Sequence, residues 1–352
     1  QINFLKQQEQ VDFFIVKEGE RAFYNLVTSL AENKFNLHKG YVIPSVHYFD
    51  RKTNTPFRNE IAERINDLSE IPSPYLMGMM DEYLDDGFMP IIQTNRGCPF
   101  ACTFCVEGDF YYQKIKRSSQ EKVKDELEYI AKYLLQRIKQ GGRADLFISD
   151  SNFGMFEQDV VTAKSIQQCQ DKYNWPQYIH VTTGKNNKER VLSVAKMVRG
   201  ALRLSGSVQS LDRDVLSNIK RANVKSEQLA KLAIEGSDLG ANTCSEVILG
   251  LPGDSRMAYE KSVSSLLEFG FNNVETWTLM LLHGSEMSNL ETRKKYNFVT
   301  RFRVIPRCFG HWNFKGMTIS TGEVEEVVVA TNTLPFDDYL HCRRSALLIT
   351  LF

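Results

Sequence analysis

At 352 residues and 42% hydrophobic content, the chain can bury one large core or one core plus part of a second. Lys+Arg and Asp+Glu both number 43, so the bulk charge gives no reason to expect nucleic acid or an anionic membrane as a partner. No apolar run reaches the roughly 18–20 residues that span a bilayer, and seven cysteines are too few, and odd in number, for a disulfide scaffold.

The opening "QINFLKQQEQVDFF" lacks the basic, apolar and small-residue order of a signal peptide, so a cytoplasmic protein is expected. With no initiator Met at one end and the apolar "ALLITLF" at the other, the chain reads as a piece of a longer protein. A β-like run at 11–16 is followed by a helical pattern in "VDFFIVKEGERAFYNLVTSL". "IPSPYLMGMMDEYLDD" carries a Pro-Ser-Pro that would hold the chain extended.

From residue 89 the chain alternates strand and helix. Strands are predicted at 90–94, 145–150, 178–183, 201–208, 243–249 and 273–280. Helical patterns lie between them near 118–139, 156–171, 188–199, 212–220 with 226–238, and 255–269; Ser118-Ser119-Gln120-Glu121 and Asp212 stand where N-caps belong. Parallel strands joined by crossover helices need a helix-covered sheet, doubly wound or barrel-like, and in both the ligand sits at the carboxyl ends of the strands. "TNRGC", "DSNFG", "TTGKNN", "SVQSLD" and "GLPGD" fall at those ends. Beyond them, "HWNFKGMTISTGEVEEVVVATN" reads as a strand, a turn and a helix, an extension expected to close the mouth.

The chemistry concentrates in "TNRGCPFACTFCVEG". Cys98, Cys102 and Cys105 form C-x-x-x-C-x-x-C on one loop. Structural zinc prefers four closed ligands, often in paired C-x-x-C hairpins, and no second pair follows at a suitable spacing. An iron–sulfur cubane with three protein thiolates leaves one iron open for an exogenous ligand. Three cysteines packed as small hydrophobes is the bland alternative. Cys169 and Cys244 read as core, and Cys308 and Cys342 as lone packed thiols. The histidines show no ligand-like pairing; His283 is the best outsider for the site.

With Phe104 directly before Cys105, this loop resembles the signature of the radical S-adenosylmethionine (radical SAM) enzymes, C-x-x-x-C-x-aromatic-C. The resemblance implies an α/β fold, a partial (β/α)6 TIM-like radical SAM barrel, and a [4Fe–4S] cluster held by Cys98, Cys102 and Cys105. It also implies SAM chelated at the fourth iron and cleaved reductively to a 5′-deoxyadenosyl radical. It places Asp150, Ser151 and Asn152 near the SAM amino group, and Gln209 and Ser210 near its ribose and methionine portions. Arg221 falls near the SAM carboxylate, with Ile248, Gly250 and Pro252 beside the adenine; Glu246 joins them if strand parity turns it inward. The stretch before the barrel resembles the tail of a Rossmann-like cobalamin-binding domain, although Lys17 replaces the first glycine of the usual D-x-x-V-x-G-E-G-E.

The domain reading is then a cobalamin-domain remnant at 1–40, a linker at 41–88, the barrel at 89–285 and a C-terminal extension at 286–352. The function implied is cobalamin-dependent methyl transfer, or related C–H or C–C chemistry, on an unknown substrate. A reducing partner such as flavodoxin or ferredoxin is expected. A methylthiotransferase-like enzyme and a non-catalytic iron–sulfur or zinc scaffold are the alternatives.

Overall fold

The structure, a computed structural model, describes residues 2–32 and 42–351 and divides into two units, Gln1–Pro72 and Ser73–Phe352. The expected boundary between remnant and linker, at residue 40, lies outside the described residues.

In the first unit, helix α1 (Ile2–Gln7) precedes strand β1 (Phe13–Ile15) and helix α2 (Glu20–Ala31). Strands β2 (Val46–Asp50) and β3 (Thr55–Phe57) complete an antiparallel sheet in the order β1-β2-β3. The strand–helix pair expected here is therefore present, with an antiparallel neighbour. Lys17, the residue standing in place of glycine, has φ +69°, the left-handed conformation that glycine adopts without steric cost. The chain keeps that turn geometry with a side chain that pays for it in strain. Glu18 in the same turn accepts from Arg64 Nε at 3.0 Å and from the Ile65 amide at 2.9 Å.

The second unit begins with helix α3 (Asp81–Asp85) and strand β4 (Ile91–Ile92). Strands β5 (Asn95–Arg96) and β6 (Lys116–Arg117) pair antiparallel, so residues 97–115, which contain all three clustered cysteines, form a loop clasped at its base. Next come helix α4 (Gln120–Lys139), strand β7 (Asp145–Phe153), helix α5 (Glu157–Tyr173), strand β8 (Tyr178–Thr183), helix α6 (Lys188–Met197) and strand β9 (Leu204–Ser205). Helices α7 (Arg213–Asn218) and α8 (Ser226–Asp238), strand β10 (Thr243–Leu249), helix α9 (Arg256–Glu268) and strand β11 (Asn273–Thr278) finish the alternation.

β4, β7 and β8 pair in parallel, as do β9, β10 and β11. The two halves meet through the parallel bridge Ile179–Leu202, where the Ile179 amide donates to Ala201 O at 2.8 Å. The result is an open, six-stranded parallel sheet in the order β4-β7-β8-β9-β10-β11, the barrel-like one of the two arrangements the alternation allowed and the partial barrel that the resemblance implies. Ser119 Oγ accepts from the Lys122 amide at 3.2 Å, and Asp212 accepts from the Asp214 and Val215 amides at 2.9 and 3.0 Å, so both predicted caps are in place. α4 buries Val123, Leu127, Ile130, Ala131, Leu134 and Ile138 along one stripe, the spacing that one helix face requires. The core gathers these with Leu146, Ile148, Ile179, Leu202, Val247, Leu249 and Val274 from the helix side of the sheet.

The structure corrects the C-terminal reading. After helix α10 (Leu290–Lys295), strands β12 (Val299–Phe314) and β13 (Met317–Ala330) form one long antiparallel hairpin, and the helix expected after the turn is β13. The valine-rich "EVEEVVVA" favours extended backbone, and its apolar base is buried only as a strand added to a sheet. The Val328 amide donates to Leu279 O and the Leu281 amide to Glu326 O, both at 2.9 Å, so β13 joins the sheet just past β11. Arg293 grips Glu326 with two bonds of 2.7 Å, holding that carboxyl below its usual range. Helix α11 (Phe336–Leu351) packs against α9 and β11. The fourth predicted strand is also shorter than expected, with only Leu204 and Ser205 in regular pairing.

Leu202 is fully buried at the joint between the half-sheets, whereas Phe309 on the hairpin is 68% exposed. Leu202→Ala is expected to destabilise the second unit by about 2–5 kcal/mol, and Phe309→Ala by less than about 0.5 kcal/mol. Urea denaturation followed by far-UV circular dichroism measures both.

Candidate functional site

The cysteine loop leaves the carboxyl end of β4. Its entry is fixed by Asp150 on β7, whose carboxylate accepts from the Thr94 amide (2.8 Å), the Asn95 amide (3.1 Å), Asn95 Nδ2 (2.8 Å) and the Thr94 hydroxyl. Burial pushes Asp150 up to about 7, and the same donors pull against it. Asp150 thus commits both oxygens to the start of the loop.

Within the loop, Cys98 N donates to Tyr112 O at 3.0 Å, and Thr103 is bonded on both sides, to Ile219 O at 3.2 Å and from the Met287 amide at 3.0 Å. Phe104 packs against a second apolar cluster containing Val215, Ile219, Leu251, Leu279, Met287 and Val328. Two glycines make the close turns possible. Gly97 has φ +115°, and a Cβ there would stand 2.5 Å from Tyr112 O; a Cβ on Gly108 would overlap the Cys102 carbonyl oxygen.

Cys98 and Cys102 are buried and Cys105 is half-buried. Asn152 Nδ2 donates to Cys98 Sγ at 3.2 Å, while Lys185 Nζ and Arg221 Nη1 reach Cys102 Sγ at 3.7 and 3.8 Å. Burial pushes the Cys105 thiol up, and the neighbouring Glu107 carboxylate adds to the effect. Among the described residues no three His, Cys, Asp or Glu side chains are close enough to share one metal ion. Three free thiols on one loop are a donor set that suits a cluster in which each sulfur takes a different iron.

The remaining candidates surround this loop to different degrees. The Ser151 hydroxyl donates to Glu107. Gln209 has φ +66°, and its Nε2 lies 3.4 Å from Glu246 Oε2. Glu246 shares a sheet face with Cys244 and Ile248 and with their register partners Asn273, Glu275 and Trp277; Val247 and Leu249 turn to the helices. Strand parity therefore turns Glu246 away from the helices. Arg221, only 8% exposed, also donates to Ser207 O and, at 2.9 Å, to Asn223 Oδ1. Two buried side-chain oxygens, Asn152 Oδ1 and Gln209 Oε1, have no hydrogen-bond partner. Unsatisfied buried acceptors are costly unless a ligand donor meets them.

Other candidates serve the scaffold directly. Ser210 Oγ accepts from the Asp212 amide at 3.1 Å, and Pro252 O accepts from Asn218 Nδ2 at 3.1 Å. Ile248 N donates to Gln209 O at 2.9 Å, and Gly250, at φ +88°, donates its amide to Asp254 at 3.0 Å. Cys169 and Cys342 are buried in the core as expected, whereas Cys244, also buried, lies on the sheet face away from the helices beside Arg203.

Sequence reasoning missed Lys185 and Lys188. Lys188 is buried, donates to Gly184 O at 2.8 Å and Ser205 O at 3.1 Å, and is pulled down to about 7 by burial, with Arg221 adding to the effect. The signal was present in the strand-end stretch "TTGKNNKER", where two lysines flank a turn.

Gly108→Ala is expected to displace the Cys102 backbone and lower the iron retained after anaerobic reconstitution by about 10-fold, the low end of what disturbing a ligand's support costs, with an unchanged far-UV spectrum. Asp254 gives a pH test. Burial raises it to about 7, so its contribution to stability is present below the unfolded carboxylate range near 4 and is lost as pH rises through 7. Asp254→Asn should flatten the urea midpoint between those limits; equal slopes for variant and parent would contradict the assignment.

Residues 92–266 match the family model described as the radical SAM superfamily. The chain is 29% identical over 349 residues to a protein of Streptomyces tokunonensis named cobalamin-dependent radical SAM methyltransferase TokK, covering 96% of this chain and 48% of that one. It is also 29% identical to the 2-(S-pantetheinyl)-carbapenam-3-carboxylate methyltransferase of Streptantibioticus cattleyicolor, over 97% of this chain and 49% of that one. The fold matches the radical S-adenosylmethionine methyltransferase TsrM from Kitasatospora setae with TM-score 0.62 at 15% identity, over 85% of this chain and 58% of that one. The chain spans about half the length of the curated relatives it matches. A three-cysteine loop at the head of an open parallel βα sheet and this agreement lead to one conclusion: residues 92–266 form a radical SAM domain, in a chain similar to proteins named as cobalamin-dependent radical SAM methyltransferases.

Proposed function

We propose that this chain is the catalytic part of a cobalamin-associated radical SAM enzyme that transfers a methyl group to a substrate carbon. The observation that carries the reading is the set of three clasped cysteines with Asn152, Lys185 and Arg221 directed at their sulfurs. Cys98, Cys102 and Cys105 would hold a [4Fe–4S] cluster, which with SAM supplies one-electron cleavage chemistry when bound. Nitrogen donors at the sulfurs offset the negative charge of three thiolates in a buried setting. Asn152 Oδ1 and Gln209 Oε1, both unpartnered, suit the ammonium of an amino-acid ligand, and the Arg221 guanidinium suits its carboxylate. Ile248 offers a partly buried apolar surface next to Gln209 for an aromatic base.

The names of the relatives and the β1–α2 pair support cobalamin as a further cofactor. The substrate is left as a class, a carbon centre that accepts a methyl group. A flavodoxin or ferredoxin would supply the electron. All seven cysteines are free, which fits a reducing cytoplasm, and no described helix is long and apolar enough to cross a membrane.

The test is anaerobic reconstitution of the full-length protein with iron and sulfide, followed by SAM and dithionite and an assay for 5′-deoxyadenosine. Deoxyadenosine from the parent protein, with none from Cys98→Ala, is the expected result. A fully loaded cluster that never cleaves SAM, with cobalamin supplied, would sink the enzyme reading in favour of an iron–sulfur scaffold.

A further inference from the structure

The three cysteine sulfurs stand in unequal electrostatic surroundings. Cys98 Sγ faces a neutral amide donor, Asn152 Nδ2, at 3.2 Å. Cys105 lies beside the Glu107 carboxylate and feels the Lys185 ammonium as a weaker influence. Cys102 Sγ alone is met by two cations, Lys185 Nζ at 3.7 Å and Arg221 Nη1 at 3.8 Å, and it is 2% exposed, so water screens these charges poorly. Lys188, also buried, feels the charge of both.

The two cations differ in what else they hold. Arg221 is committed to Ser207 O and Asn223 Oδ1, so its removal would disturb the turn after α7. Lys185 lies with its ammonium over the Phe100 ring at 4.9 Å, a cation–π contact that aims the charge at Cys102. Phe100 is part of the cysteine loop, so the loop carries its own guide for the cation.

A cluster gains one negative charge on reduction, and hydrogen bonds and positive charge at its sulfurs favour the reduced form. Resting on the cluster assignment above, we propose that Lys185 is a positioning residue for reduction: it raises the cluster's reduction potential by holding its charge at Cys102, so that the added electron is drawn toward the iron bound there.

The experiment is an EPR-monitored redox titration of the reconstituted full-length protein, without SAM, using dithionite and mediator dyes, with iron content measured on each sample. Lys185→Gln is expected to make the midpoint more negative by a tenfold loss in the reduction equilibrium constant, about 59 mV for one electron, with Lys185→Arg restoring most of it. A fully loaded Lys185→Gln protein with an unmoved midpoint overturns the proposal. Should Lys185→Gln retain less than full iron, Phe100→Leu, which removes the ring guiding the ammonium, carries the same test with the same two outcomes. Parent protein that takes up no four-iron cluster defeats the proposed function instead, so the two failures are distinguishable.

Discussion

The carboxylate of Asp150 is the constraint on which the site depends. It sits on β7 and receives both backbone and side-chain donors from Thr94 and Asn95, the residues through which β4 passes into the cysteine loop. A buried carboxylate with four donors is expensive to leave unsatisfied, so this pairing fixes where the loop departs from the sheet. The β5–β6 clasp then closes the loop on itself, and Thr103 and Phe104 tie it to the α7 turn and the second apolar cluster. The cysteines can be free of other duties because the residues between them do the anchoring.

The two faces of the sheet divide the work. Residues such as Ile179, Val247, Leu249 and Val274 turn toward the helices and hold the fold by apolar burial. The opposite face carries Glu246, Glu275 and Trp277, the strand ends add Asn152, Lys185 and Gln209, and the turn after α7 adds Arg221. Polar and charged groups collect where the sheet remains open, so that the chemistry does not compete with the core for the same surface. Gln209 at φ +66° and the unpartnered oxygens of Asn152 and Gln209 are costs at this mouth that a ligand can offset.

Much of this was legible in order along the chain. Alternating apolar runs and helical stripes marked six βα units, because a two-residue and a 3.6-residue period leave different prints on the sequence. The caps at Ser119 and Asp212 were legible because capping is local. The hairpin at 299–330 was not: "EVEEVVVA" carries a strand signal, but whether it pairs as a strand depends on a free edge beyond β11 that no local pattern reveals.

By itself the sequence determined the parallel βα architecture, the three-cysteine loop with Phe104 before its last member, and the strand-end stretches that surround it, since each is written in residue type and spacing. Only the tertiary structure decided which of those residues meet. Asp150 and Asn152 stand two apart on one strand, yet one is spent on the entry to the loop and the other reaches Cys98. Arg221 and Lys185 lie 119 and 83 positions from Cys102 and converge on its sulfur. Contacts of that kind come from closing long stretches of chain around a shared core, and nothing in the local pattern of either partner encodes the distance between them.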